Sequence, residues 1–463
     1  MKSDFIFVST ALPRKCGIAT YTHCLTKGFN PLSNEVGSVR TAPIDQDIGP
    51  YGYHFGVDPD LLINQNDEHS WIYAGAKMRN RAVETGGAPV IVFEHEHGID
   101  AKNGKGFSSL AKKLHNEEEL KERGLVSIAQ LHTLIRQPSQ EQRQQICELA
   151  QHCDLVTVMT RKGRERLEQN YGFDSSMMEK VRVVEHGVRP FDPLVLNREE
   201  ARKKLGFNED LFLFLVTGYR GEGKGNDSIV HAYGKHLKTL SKGERERTAL
   251  AIVGVYHPWY KTPDGRPFLQ RDSEKIEKSL KKTNLKKESA ETTALEDIGP
   301  ILKKKRVVIA RVYPNEEELP YLLSAADVNV VGNRDRDQIS SGGLMEAVSH
   351  GATIATRTEC CIEIAKPIYP NAVKSDFPRR TLGENAMLID LEGRLIRNPK
   401  TILPRPSVEQ YTYCMNVLQE NADLRKQLGR NGIFNIGGPF NWNAIAKKLM
   451  YCIEEERQRR RSA

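Results

Sequence analysis

Residues 126–188 read VSIAQLHTLIRQPSQEQRQQICELAQHCDLVTVMTRKGRERLEQNYGFDSSMMEKVRVVEHGV. Val126–Leu131 is a β-branched and apolar run of strand length. Pro138 then precedes a helical pattern from Ser139 to Cys153, which Ser139 and Gln142 open at capping-box spacing. Leu155–Met159 is a second apolar run, Arg161–Tyr171 a second helix and Val181–Glu185 a third run. Short strands alternating with helices predict a parallel sheet with helices on both faces.

Outward from this stretch the alternation continues. Phe5–Ser9 and Val90–Glu94 supply further strands to the first half, and Leu211–Thr217, Leu250–Val255, Arg306–Ala310 and Val328–Gly332 supply a set to the second. The expected class is α/β twice over. A chain of 463 residues fits this, because single cores stop growing near about 250–300 residues. RPFDPLVLN, residues 189–197, interrupts the pattern with two prolines, so the linker is placed at about Arg189–Asn197. The expected domains are residues 1–190 and 198–435, followed by a final amphipathic helix and basic tail over 436–463. Within the second domain, Lys261–Lys305 is long and lysine-rich, and reads as an insertion with an exposed helix around Ser273–Lys287.

Composition narrows the function classes. Hydrophobic residues at 39% and charged residues at 28% are ordinary for a globular chain. The start, MKSDFIFVSTALPRKCG, has neither a secretory apolar region nor a membrane span, so a cytoplasmic protein is expected, at most peripheral at an inner membrane surface. Eight cysteines form no C-x-x-C pair, which argues for reduced, packed thiols rather than a zinc module or a disulfide framework. The net charge of +8 sits largely in Ser279–Lys287, Lys303–Arg306 and Arg457–Arg461. Such runs are usually solvated faces or tails, and here they imply at most a weak contact with anionic surfaces, tuning attachment rather than chemistry.

Three loops could carry chemistry. The first strand is followed by PRKCGIAT, in which Gly17 lets an anion approach free backbone N–H groups at a helix start. In the second half Gly218–Gly225, GYRGEGKG, keeps an open loop in which Arg220 and Lys224 supply charge for a diphosphate. No G-x-G-x-x-G is present, and GYRGEGKG is not a Walker A loop, because Lys224 is followed by Gly225 rather than Ser or Thr. The third loop, QISSGGLME over Gln338–Glu346, has Gly342 and Gly343 at a helix start and an acceptor carboxylate at Glu346. Histidines cluster at strand ends: His95 and His97 in EHEHG, His132 in LHT, and His186. Contacts to substrate hydroxyls are preferred there over a metal site, because neighbouring side chains in an extended segment point apart.

Taken in order, STALPRKCGIATYTHCL, EHEHGI, the 130–188 stretch, GYRGEGKG, LPYLLSAADVNVVGNRDRDQISSGGLMEAVSHGATIATR and FNWNAIAKKL resemble the retaining glycosyltransferases of the GT-B fold, family 4, over nearly the whole chain. The resemblance implies two Rossmann-like domains facing across a cleft, acceptor side first and nucleotide-sugar side second, with a last helix crossing back. It implies transfer of a hexose with retention from a nucleotide-sugar such as UDP-glucose or GDP-mannose, with no cofactor and no obligatory metal. The acceptor is not identified: a glycan, lipid, small molecule or nucleic acid. Position by position, Gly17 approaches the donor diphosphate, His132 contacts the transferred sugar and Lys224 binds the phosphates. Glu346 stands at the ribose-binding position of the E-x7-E motif. Gln338 stands where the first Glu usually contacts the sugar, and Tyr219 where many members have Arg; both are departures, with Arg220 adjacent to the second. They leave two alternatives open: a catalytically weak or regulatory nucleotide-binding relative, and a glycosyltransferase that modifies nucleic acid.

Overall fold

The structure is a computed structural model and describes residues 2–46, 52–54, 56–190, 196–256, 268–373, 375–392 and 404–462. Most of the expected linker and the first residues of the 261–305 segment fall outside these. Contacts divide the chain into two compact units: Met1–Gly187 with Asp337–Ser340 and Phe440–Ala463, and Val188–Arg336 with Ser341–Pro439.

Unit one is built on β1 (Ser3–Ser9), β2 (Val36–Asp45), β3 (Ile63–Asn64), β4 (Ala88–His95), β5 (Val126–Leu131), β6 (Leu155–Val158) and β7 (Val181–Val183). They form one parallel sheet in the order β3-β2-β1-β4-β5-β6-β7. Both faces are covered, so the central strands are apolar on both sides. Phe5, Phe7, Val90 and Val92 enter one core, while Ile6, Val8, Ile91 and Phe93 enter the other. The strand β2 carries no such signal, since VGSVRTAPID mixes polar residues with a proline. It forms because β1 supplies a ready edge, from Ser3 beside Val36 to Ser9 beside Pro43.

The last helix, Trp442–Ser462, is a core element of unit one rather than an appendage. Trp442, Ile445, Leu449 and Ile453 bury on the Phe5–Phe7 face of the sheet. Two glycines make room: a Cβ at Gly28 would lie 2.4 Å from the Trp442 carbonyl oxygen, and one at Gly187 would lie 2.3 Å from the Trp442 ring. The basic end of this helix is not a free tail throughout. Arg457 donates from Nη1 to Ser3 Oγ at 2.9 Å, and Arg460 donates to the Leu125 carbonyl at 2.8 Å and pairs with Asp154. Arg459 and Arg461 remain exposed.

Unit two repeats the plan with β8 (Phe212–Thr217), β9 (Thr248–Val253), β10 (Ser289–Thr292), β11 (Val307–Ala310), β12 (Val328–Val331), β13 (Thr353–Thr356) and β14 (Met387–Ile389). The sheet is parallel, in the order β10-β11-β9-β8-β12-β13-β14. Here the reading of 261–305 as an insertion is corrected. Ser289–Thr292 is the edge strand of the sheet, and the Phe268–Lys282 helix connects β9 to it. That helix buries Asp272, Ile276 and Leu280 at a spacing of four while Lys278, Lys281 and Lys282 stay in solvent. The many lysines of its outer face masked a core helix.

Among the described residues no helix is long and apolar enough to cross a membrane. All eight cysteines are free thiols, and all but Cys147 are buried. Replacing Arg457 and Arg460 together by alanine removes two anchors between the last helix and the sheet. The expected outcome is a loss of about 1–3 kcal/mol of stability, read as a lower urea midpoint with an unchanged slope.

Candidate functional site

The strand order turns back between β1 and β4 in unit one and between β8 and β12 in unit two. Ligands of open α/β sheets bind beyond the carboxyl ends of the strands at such a point.

In unit one the turn after β1 leads into the Gly17–Gly28 helix. Cys16 is its N-cap but gives no side-chain cap, and its buried thiol is instead 3.6 Å from Thr10 Oγ1, within reach of that hydroxyl's proton. Gly17 is exposed, and among the described residues nothing lies within 4 Å of where a Cβ would stand. The first N–H groups of such a helix have no partner within the helix itself.

Across the reversal β4 ends in Glu94 and His95, and β5 ends just before His132. The His132 amide donates to the His95 carbonyl at 3.1 Å, which sets the imidazole beside β4. Its Nε2 is 2.6 Å from Glu94 Oε2, and its ring meets Tyr21 edge-on at 4.7 Å. Burial pushes the Glu94 carboxyl up, and the His132 hydrogen bond pulls against this. Behind the pair Thr157 donates to Gln130 Oε1 at 3.0 Å, and Gln130 donates to the Tyr21 hydroxyl at 2.7 Å. Glu94 was not singled out in the sequence; the signal was the parallel register that puts it beside Gln130, two residues before His132.

The other strand-end histidines behave differently. His95 is 1% exposed, and burial with His97 and His132 nearby pushes it down to about 3, so it is neutral. Glu96 caps the His97 amide at 3.0 Å and accepts from Thr133 Oγ1 at 2.6 Å. Among the described residues no group of three or more His, Cys, Asp and Glu side chains could hold a metal ion. Gln338 also belongs to unit one, half-buried between two anchored neighbours. Asp337 accepts from the Arg136 amide at 3.1 Å and gives its carbonyl to Arg166 Nη1 at 2.7 Å, while Ile339 is fully buried in the core.

Unit two collects Arg220, Lys224, Gly342, Gly343 and Glu346. Lys224 closes a short turn at the end of the glycine loop and is half-buried, not exposed. Its Nζ donates to Asn333 Oδ1 at 2.9 Å, and Asn333 Nδ2 donates to Ser341 Oγ at 2.9 Å. Ser341 in turn caps the Gly342–His350 helix by accepting from the Leu344 amide at 3.3 Å. Burial pulls the Lys224 ammonium down from its usual range. The glycine loop is held from the β12 side as well, where the Arg334 amide donates to the Gly223 carbonyl at 2.8 Å.

Glu346 is 5% exposed. Its Oε1 accepts from Arg189 Nη1 at 2.6 Å, while Oε2 has no hydrogen-bond partner among the described residues. Gly343 is exposed at the helix start, and a Cβ added there would meet nothing within 4 Å among the described residues. Arg220 does not stand free in its loop: its side chain is 2% exposed, 3.2 Å from Asp272 and stacked on Tyr256. Asp272 and Asn333 were missed in the sequence, the first inside the lysine-rich segment and the second as an ordinary residue after a strand.

The sequence matches no protein-family model, and no curated protein matches it. Solved structures share the fold over nearly the whole chain. The Anabaena protein HepE, crystallised with UDP and glucose, aligns at 13% identity and a TM-score of 0.62, covering 98% of this chain and 100% of that one. Sucrose-phosphate synthase from Thermosynechococcus elongatus aligns at 14% identity and 0.63, covering 98% and 99%. An α,α-trehalose-phosphate synthase from Burkholderia xenovorans in complex with glucose-6-phosphate aligns at 12% identity and 0.59, covering 98% and 100%. The fold is thus the α/β class with two parallel sheets found in GT-B glycosyltransferases.

The buried titrating groups of unit one make stability depend on pH. His95, depressed from 6.5 to about 3, contributes stability that is present above 6.5 and is lost as pH falls towards 3. Asp100, raised by burial from 3.8 to about 6, acts in the opposite sense, its contribution being present below 3.8 and lost as pH rises through 6. Between pH 6.5 and 4 the wild type should therefore lose more stability than His95→Gln, by up to about 1.4 kcal/mol per pH unit. Urea midpoints of the two proteins across this range measure the difference, and parallel curves would contradict it.

Proposed function

We propose that this chain is a glycosyltransferase that moves a hexose from a nucleoside-diphosphate sugar to a hydroxyl-bearing acceptor, with retention of configuration. The observation that carries the reading is the chain Lys224, Asn333, Ser341, which ties the glycine loop after β8 to the helix start after β12. A cation and a helix N-terminus held together at the strand-order reversal suit a leaving diphosphate, whose charge grows as the sugar departs. Neighbours of the same fold were crystallised with UDP and glucose or with glucose-6-phosphate, which supports this class of substrate.

In this reading Glu346 receives the ribose hydroxyls. Arg189 holds one carboxylate oxygen and leaves the other to accept. Lys224 and the N–H groups at Gly342 and Gly343 stabilise the diphosphate, with Arg220 beside them in the loop. The reading assigns Gly17 to the diphosphate, and His132 and Gln338 to the hydroxyls of the transferred sugar. The His132–Glu94 pair keeps that imidazole oriented, and the Gln338 amide both donates and accepts. The bond from the anomeric carbon to the diphosphate breaks, the acceptor oxygen takes its place on the same face, and the acceptor's proton passes to a donor phosphate oxygen. The reading requires no metal.

Incubating the protein with UDP-glucose, GDP-mannose and related donors tests the reading by release of nucleoside diphosphate. Binding of a nucleotide without any release would favour a regulatory relative instead. Lys224→Ala should lower turnover about 100-fold or more while the protein stays folded. Activity near wild type would take Lys224 out of the site. Glu346→Ala should weaken donor binding by about 1–3 kcal/mol in calorimetry. It also strands Arg189, so Glu346→Gln, which keeps an acceptor oxygen for Arg189, separates donor binding from folding.

A further inference from the structure

The buried side chains around Asp272 hold both ends of the glycine loop. Arg220 opens the loop and Asn226 begins the helix that closes it, with Gly221, Gly223 and Gly225 among the residues between. Asp272 stands on the Phe268–Lys282 helix. Its Oδ2 accepts from Arg220 Nη2 at 3.2 Å and its Oδ1 from Asn226 Nδ2 at 3.5 Å. The Tyr256 hydroxyl, which follows β9, donates to Oδ2 at 3.1 Å and lies 3.0 Å from Ser273 Oγ, and the Tyr256 ring lies 4.5 Å from the Arg220 guanidinium. The Arg220 and Asp272 side chains are 2% and 3% exposed. One carboxylate thus spans a five-residue loop that contains three glycines.

A glycine-rich loop loses more backbone freedom on ordering than any other sequence. If its N–H groups and Lys224 are to meet a diphosphate without reorganising, something rigid must hold the loop beforehand. The segment after β12 does so from one side, through the Gly223 carbonyl and Asn333. On the other side the described tethers of the loop's first residue are the Val255 carbonyl, which accepts from the Arg220 amide at 2.8 Å, and Asp272. A buried guanidinium also cannot keep its place once its carboxylate is gone.

We propose that Asp272 is a positioning residue for diphosphate recognition, fixing the separation of Arg220 and Asn226 and, through the loop between them, the place of Lys224. The inference rests on the proposed function, because it assumes that the loop meets a nucleoside diphosphate. It predicts a loss confined to the part of the ligand the loop touches. Removing the brace should weaken diphosphate binding and leave recognition of the rest of the nucleotide unchanged.

The test uses the full chain and calorimetric titration with UDP, GDP and ADP, followed by the matching monophosphate of whichever binds best. In Asp272→Asn the diphosphate should bind about tenfold or more weaker while the monophosphate changes little, so that the preference for the second phosphate collapses. A merely structural role would weaken both ligands alike or lower the melting temperature alone. If Asp272→Asn does not fold, Tyr256→Phe removes one hydrogen bond from the same carboxylate, and the same selective loss, smaller in size, is expected. An unchanged ratio of diphosphate to monophosphate affinity in a folded Asp272→Asn protein, or in Tyr256→Phe where the first does not fold, overturns the inference. Wild-type protein that binds none of the three diphosphates overturns the proposed function, and this inference with it.

Discussion

A parallel sheet whose strand order reverses must send its chain away in opposite directions from two adjacent strands. The loops that leave those strands cannot cover each other, and the helix starts that follow them expose unpaired N–H groups. In unit one the constraint places Gly17 after β1 and the Glu94–His132 pair at the ends of β4 and β5. In unit two it places the glycine loop after β8 and the Ser341-capped helix after β12. The chemistry of each unit is what its side chains add to this common scaffold: a buried carboxylate and imidazole in the first, a lysine, a glutamate and two glycine-bearing turns in the second.

How much of this could be read from the sequence follows from where the information lies. Central strands such as Phe5–Ser9 and Leu211–Thr217 are apolar on both faces, because helices cover both sides, and a run of apolar residues is visible without knowledge of partners. Strands at or next to the edge are not. VGSVRTAPID in β2 and SAET in β10 owe their conformation to the strand beside them, and their own composition carries no mark of it. The lysine-rich segment misled for a related reason. In its helix the buried residues Asp272, Ile276 and Leu280 recur every fourth position, but one of the three is charged and Lys278, Lys281 and Lys282 stand exposed beside them.

The same limit governs the site. Residues that stand in glycine loops or at helix starts, among them Gly17, Lys224, Gly342 and Glu346, announce themselves by local pattern. Residues that hold them in place come from distant parts of the chain and look ordinary where they stand. Asn333 is one amide after a strand, yet it joins Lys224 to Ser341. Glu94 lies in a run of alternating Glu and His, and only the register of β4 against β5 shows that it, rather than Glu96, meets His132. Glu96 is occupied with Thr133 and the His97 amide.

The cations of unit two complete the argument about what its open loops can bind. Arg220 has its charge matched by Asp272, and Arg189 has its charge matched by Glu346. Lys224 differs, because the hydrogen-bond partner it has among the described residues is the neutral amide of Asn333. A half-buried ammonium whose hydrogen-bond partner is neutral is costly to keep charged, and burial depresses its pKa although the charge of Asp335 pulls it up. On the proposed reading an arriving diphosphate offsets that cost close to the start of the Gly342–His350 helix. On that reading the matched pairs have a different part: they hold the loop and Glu346 still while Lys224 meets the charge of the ligand.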